Sequence, residues 1–275
     1  MKHEENFFKG SDGIELYYQY WLTEAEPRAS IALVHGFGEH SGRYMNVVNA
    51  LTPSGYTIYG YDHRGHGRSP GQRVYINDWG EYREDLRAFL DIINQQQAGI
   101  PLFLYGQSMG GLIALDYLLH YPQGLRGAII SSALIVPPNK PHLVLLARVL
   151  SGIWPRFSVK SGLDPKGLSR DPQVVKAGEA DPLSSSVATA RWGTEMFNTV
   201  SWVKSHAKEI SIPILLIHGD ADQFNNVEGS RYIFDAMTYP EKTLIIYPGG
   251  YHELHNDIDH EQVMADIKNW LDRHL

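Results

Sequence analysis

The feature that most constrains this chain is the run Leu102-Phe103-Leu104-Tyr105-Gly106-Gln107-Ser108-Met109-Gly110-Gly111, which continues into an apolar stretch from Leu112 to His120. The apolar start has the length of a buried strand, and Gly-x-Ser-x-Gly is a sharp turn. The stretch after the turn reads as a helix. Such a turn lifts a serine hydroxyl above the sheet, with small neighbours that let the backbone pass. The N–H groups at the new helix start then face whatever lies over the serine and are ready to receive an oxyanion. The pattern recurs at Gly67-Arg68-Ser69-Pro70-Gly71. There a proline follows the serine and has no N–H to offer, and no apolar helix comes after it. Ser108 is the candidate nucleophile; Ser69 is not.

The rest of the chain repeats the alternation of strand and helix. Apolar runs at 30–34, 56–61, 101–105, 125–131, 214–218 and 243–247 read as buried strands. Helical spacing over 44–51, 77–97, 227–237 and 261–274 separates or follows them. The alternation Ile14, Leu16, Tyr18, Tyr20 reads as an antiparallel edge strand. This order predicts an α/β fold, a mostly parallel sheet with helices on both faces. A length of 275 residues suits one large domain. The section from about Pro137 to Val200 breaks the rhythm with Pro137-Pro138, Asp164-Pro165, Asp171-Pro172 and Asp181-Pro182. We therefore divide the chain into a core of 1–136 and 201–275 and a cap insertion of 137–200. An insertion between strands falls over their C-terminal ends, where open α/β sheets bind ligands. Its apolar piece, His142 to Trp154, is too short to cross a bilayer. It reads equally as a lid touching lipid surfaces and as a helix packed on its own pocket.

Charge and composition remove several classes of function. A net charge of −7 with no basic tract argues against nucleic acid. The absence of cysteine excludes thiolate metal sites and cysteine nucleophiles. No apolar leader or membrane-length run is visible, so a cytoplasmic protein is the default expectation. His252-Glu253-Leu254-His255 is not a zinc helix, since HExxH needs histidine at the place of Asn256. Asp62, His63 and His66 read as a glycine-rich loop bracing a strand rather than as metal ligands. No phosphate-binding loop occurs, and no cofactor is expected.

Serine chemistry needs a base and an acid, in the chain order nucleophile, acid, histidine. The run 214–218 enters Gly219-Asp220-Ala221-Asp222, and the run 244–247 enters Pro248-Gly249-Gly250-Tyr251-His252. His252 is the candidate base. Asp222, further into its loop, is the candidate acid, and Asp220 is expected to brace the turn.

With these residues in place the chain resembles the α/β-hydrolases of the monoacylglycerol lipase and lysophospholipase group. The resemblance is carried by the segment from His35 to Tyr44 (HGFGEHSGRY), by 62–67 (DHRGHG) and by 106–111 (GQSMGG). It continues through Leu168-Ser169-Arg170, Asp181-Pro182-Leu183, 219–222 (GDAD) and 251–255 (YHELH). It implies an α/β-hydrolase fold with Ser108, Asp222 and His252 as the triad and the N–H groups of Phe37 and Met109 as the oxyanion hole. It also implies that Glu39, Arg43 and His255 line a polar end that takes glycerol. A surface ion pair between Glu39 and Arg43 is the plainer alternative. Gly178 stands where animal relatives carry a cap tyrosine. Phe37, bulkier than in some relatives, is expected to narrow the acyl-side entrance.

The expected activity is serine ester hydrolysis of a monoacylglycerol through an acyl-enzyme. Lysophospholipase or broad carboxylesterase action is the alternative within that chemistry. A cofactor-free haloperoxidase and a non-catalytic binding protein of the same fold are more remote ones. The expected partner is a small lipid ester, with transient membrane-surface contact through the cap.

Overall fold

Runs that are apolar on both faces pair side by side and are covered from above and below. The computed structural model describes residues 1–135 and 141–275, so the Pro137-Pro138 opening of the insertion lies outside the described residues. Strands β1 (Lys2–Lys9), β2 (Glu15–Leu22), β3 (Ala29–Val34), β4 (Tyr56–Tyr61), β5 (Leu102–Gln107) and β6 (Gly127–Ser131) come first. Helices α1 (Met45–Leu51), α2 (Gly80–Gln96) and α3 (Met109–His120) connect the later ones. The insertion forms α4 (Pro141–Ile153), β7 (Ser158–Lys160), α5 (Pro172–Ala180), β8 (Val187–Thr189) and α6 (Ala190–His206). The chain ends in β9 (Ile214–Gly219), α7 (Glu228–Ala236), β10 (Lys242–Tyr247) and α8 (His260–Arg273).

Eight strands form one sheet in the order β1-β2-β4-β3-β5-β6-β9-β10. All neighbours from β4 to β10 run parallel, while β1 and β2 are antiparallel. The alternating segment expected at the sheet margin is β2, and it lies one place inside. The margin is β1, whose register with β2 runs from Lys2↔Leu22 to Lys9↔Glu15. Only Phe8 of β1 is buried, so its charged residues conceal a strand pattern, and they also blunt an edge that would otherwise invite pairing.

Alternate residues of each strand feed opposite faces. From β3, Ala32 and Val34 join Leu86 and Phe89 of α2, Ile113 of α3 and Val203 of α6. Ile31 and Leu33 join Val48 of α1 and Ile267 and Trp270 of α8. The insertion leaves after β6 and returns to β9, which pairs directly with β6 through Ala128↔Ile214. It is held to the loop after β3 by the Ser185 N–H, which donates to Gly38 O at 2.7 Å, and by Asp181, 2.7 Å from His40 Nε2. Among the described residues no helix is long and apolar enough to cross a membrane.

Candidate active site

The loops at the C-terminal ends of β3, β5, β9 and β10 carry the chemistry-bearing residues. Ser108 joins β5 to α3 with φ 54° and ψ −116°, a backbone state that costs a residue with a side chain on the order of 1–3 kcal/mol. The surroundings hold it there. Its N–H donates to Ser131 O at 2.9 Å, and its carbonyl accepts from Leu112 and Leu134, each at 3.1 Å. A side chain at Gly110 would run into the Val34 carbonyl, which is why the residues after the turn must be small.

The loop after β3 folds against the elbow. A Cβ on Gly36 would stand 3.3 Å from Ser108 Cβ and 2.7 Å from Glu39 Oε1. Among the described residues the N–H groups of Phe37 and Met109 have no hydrogen-bond partner, as donors waiting for an oxyanion should. The Phe37 ring packs on Trp192 of α6, centroids 4.9 Å apart.

His252 Nδ1 lies 2.8 Å from Asp222 Oδ2, with both groups buried. A carboxylate only accepts, so Nδ1 carries the hydrogen and Nε2 is left to take a proton. Asp222 Oδ1 accepts from the N–H groups of Phe224 at 2.8 Å and Asn225 at 3.0 Å. Burial works against the Asp222 charge. His252 beside it, His218 and the Asn225 N–H overcome that and hold its pKa well below the usual carboxylate range. For His252, burial pulls down and the Asp222 charge and hydrogen bond, with Glu253 and Glu39 behind them, pull up harder. Its pKa lies above the ordinary 6.5. Among the described residues the Ser108 hydroxyl accepts at 3.4 Å from Asn225 Nδ2, and no hydrogen bond joins it to His252. The fold thus brings Asp222 and His252 into contact and sets Ser108 at the same sheet end.

Glu39, Arg43 and His255 meet in a buried polar cluster. Arg43 Nη2 donates to both oxygens of Glu253 at 2.9 and 2.7 Å, and its Nε is 3.3 Å from Glu39 Oε2. The Glu39–Arg43 pair is therefore interior, not the surface pair that was the plainer alternative. Glu39 Oε1 accepts from the Gly36 N–H at 2.6 Å and from the Tyr44 hydroxyl at 2.9 Å. His255 stacks on Tyr44, with 4.5 Å between centroids. Burial lowers its pKa to about 4. Glu39 Oε2 and both nitrogens of His255 are buried without a hydrogen-bond partner among the described residues. Burial and the neighbouring Glu253 raise the pKa of Glu39, whereas Glu253, equally buried, is lowered by Arg43 and His255.

The remaining expectations fall into place around this centre. Asp220 Oδ1 accepts from the Gly249 N–H at 2.6 Å, so it braces the turn. Ser69 donates to Asp62 O at 2.6 Å and takes the Tyr17 N–H, a structural role. His63 Nε2 lies 3.1 Å from His35 O, and the His63 N–H donates to His35 Nε2 at 3.0 Å, which ties the glycine-rich loop to the oxyanion strand.

Known proteins share this fold. The family model described as serine aminopeptidase, S33 matches residues 25–259. The monoacylglycerol lipase of Mycolicibacterium smegmatis is 34% identical over 98% of both chains. The crystal structure of Paleococcus ferrophilus monoacylglycerol lipase superposes with a TM-score of 0.87 at 35% identity, covering 95% of this chain and 100% of that one. A soluble variant of the Saccharomyces cerevisiae monoglyceride lipase, in complex with a substrate analog, has a TM-score of 0.90 at 28% identity. It covers 100% of this chain and 96% of that one.

The chain belongs to this family. It is an α/β-hydrolase enzyme.

Three residues of this α/β-hydrolase site escape a reading of the sequence. Asn225 and His218 flank Asp222 in a segment where asparagine and histidine carry no pattern of their own. Glu253 sits inside the YHELH motif, and a carboxylate between the base and His255 could have suggested a partner for Arg43. Gly178 lies in α5 against Arg43: a Cβ there would stand 2.8 Å from Nη1, so this helix packs tightly on the guanidinium.

Proposed function

We propose that this α/β-hydrolase is a monoacylglycerol lipase that releases fatty acid and glycerol through an acyl-enzyme on Ser108. The observation that carries the reading is the 2.8 Å contact of His252 Nδ1 with Asp222 beside an elbow serine with φ at 54°. Relatives named monoacylglycerol lipase over nearly the whole chain supply the substrate class.

His252 Nε2 takes the hydroxyl proton as Ser108 Oγ bonds to the ester carbonyl carbon. The Phe37 and Met109 N–H groups hold the carbonyl oxygen as it gains negative charge. Asp222 keeps the imidazole in the required tautomer and stabilises its positive charge. The C–O bond to glycerol then breaks, and Nε2 returns the proton to the departing oxygen. Water, deprotonated by the same nitrogen, repeats the sequence on the acyl-enzyme and frees the acid. Glu39, Arg43 and His255 take the glycerol end, where the His255 nitrogens, buried without a hydrogen-bond partner among the described residues, and Glu39 Oε2, held only by its ion pair with Arg43, match a small polyol. Residues 137–200 serve as the cap over the core of 1–136 and 201–275. Leu145, Leu146, Val149, Ile153 and Trp154 of the cap are exposed, which supports transient contact with lipid surfaces by a cytoplasmic protein.

The test compares rates on a monoacylglycerol, lysophosphatidylcholine, a short p-nitrophenyl ester and an aminoacyl p-nitroanilide, together with fluorophosphonate labelling located by mass spectrometry. Monoacylglycerol is expected to be cleaved fastest, with the label on Ser108, and Ser108→Ala is expected to lose at least about 10⁴-fold in kcat. Near-native turnover by Ser108→Ala overturns the mechanism, and preference for another substrate in the set overturns the substrate.

A further inference from the structure

We propose that Asn225 positions the nucleophile, its side-chain amide holding the Ser108 hydroxyl in a resting orientation that must be given up before Oγ can transfer its proton to His252. This rests on Ser108 being the nucleophile.

Asn225 is buried, and its backbone N–H, its backbone carbonyl and its side-chain Nδ2 are all hydrogen-bonded. Its N–H donates to Asp222 Oδ1 at 3.0 Å, and its carbonyl lies 3.0 Å from His218 Nε2, whose ring is held from the other side by Ser230 Oγ at 2.7 Å. The backbone at 225 is thus bolted into the acid loop independently of the side chain. The side chain reaches across to the elbow. Nδ2 donates to Ser132 O at 2.7 Å and to Ser108 Oγ at 3.4 Å. The Ser132 carbonyl can only accept, so the amide is oriented with its nitrogen toward both serines. The Ser132 N–H in turn donates to Ile217 O at 2.9 Å, which ties the residue to β9. A serine hydroxyl has three staggered positions, and one additional hydrogen bond decides which is occupied. Here the occupied one is bonded to Asn225 and not to His252.

The consequence is kinetic. If the reactive orientation is the minor one in the free protein, every acylating agent reacts more slowly by that fraction. Once Oγ is esterified the hydroxyl no longer exists, so deacylation is indifferent to Asn225. Releasing the hydroxyl therefore accelerates acylation alone, by about 3- to 10-fold, the range spanned by one net hydrogen bond. A merely structural role would not produce this split, since loosening the loop slows both steps.

Asn225→Ala keeps the backbone bonds to Asp222 and His218 and removes only the amide. Fluorophosphonate inactivation and the burst phase with a p-nitrophenyl ester are expected to quicken by about 3- to 10-fold, with deacylation unchanged and the melting temperature lowered by loss of the Ser132 contact. Inactivation at the wild-type rate or slower overturns the proposal. If the variant does not fold, a crystal structure of the free wild-type protein decides. Oγ within hydrogen-bond reach of Asn225 Nδ2 supports the proposal, and Oγ bonded to His252 Nε2 overturns it. Mass spectrometry of the labelled wild type separates the two claims. A label absent from Ser108 removes the nucleophile assignment itself, whereas a label on Ser108 with an unaltered variant rate removes only the role of Asn225.

Discussion

In an Asp222→Asn variant the backbone dictates how the new amide sits. Oδ1 accepts two N–H groups, from Phe224 at 2.8 Å and Asn225 at 3.0 Å, so the amide oxygen takes that place. The NH₂ group then falls where Oδ2 was, 2.8 Å from His252 Nδ1 and 3.2 Å from His218 Nε2. Two donors now face each other across the bond that orients the base. His252 relieves the conflict by carrying its hydrogen on Nε2, which leaves no lone pair to accept the Ser108 proton. A base locked in the wrong tautomer costs about 10⁴-fold in kcat, equivalent to about 5 kcal/mol of barrier. The fold should survive, because both backbone donors keep their acceptor. The assay is kcat and kcat/KM on a soluble p-nitrophenyl ester, with thermal unfolding as the control for folding. A folded variant within tenfold of wild type at neutral pH would refute the reasoning, and Asp222 would no longer be the orienting acid.

Two further outcomes are expected. His252 must be neutral to act as base; burial lowers its pKa, but the surrounding carboxylates raise it further, so kcat/KM should climb with pH through a midpoint above 6.5. By the same sign, the stability contributed by the charged imidazole beside Asp222 is present below that midpoint and lost as pH rises through it. A pH–rate profile with an acid limb at or below 6.5 contradicts this electrostatic balance. Gly178→Ala places a methyl group 2.8 Å from an Arg43 nitrogen that its two carboxylates prevent from retreating. The expected loss is about 1–3 kcal/mol in urea unfolding, with a raised KM for monoacylglycerol, and unchanged values of both contradict the close packing.

The sequence revealed the parts of this molecule that rest on local chemistry. The elbow was legible because a strand, a glycine-flanked serine and a helix must follow one another for the turn to exist, and Ser108 has the positive φ that this implies. Asp222 was distinguished from Asp220 by its place in the loop; Asp222 lies beside His252, while Asp220 takes the Gly249 N–H. Where the reading failed, contacts between distant segments decided. β1 is buried at a single residue and so carries no apolar alternation, which left β2 looking like the margin. Glu253 is 210 positions from Arg43, so their pairing shows only in the folded chain, although the carboxylate itself stands in the YHELH motif. Asn225 contacts a serine 117 residues away. The short pair β7 and β8 within the insertion joins residues about thirty apart through side chains that, Thr189 aside, are exposed or half-buried and give little periodic signal.

The insertion departs from one strand and rejoins the chain at that strand's own neighbour, so the β6–β9 ladder closes beneath it without a break. The sheet that carries Ser108, Asp222 and His252 at its strand ends is therefore continuous without the insertion. The insertion is nonetheless fastened to the core beside the site, by Ser185 to Gly38, Asp181 to His40, the Leu168 carbonyl to the Glu253 N–H and Arg170 to Asp257. A segment transplanted from another member of the family would dock in the same place only if those attachments travelled with it.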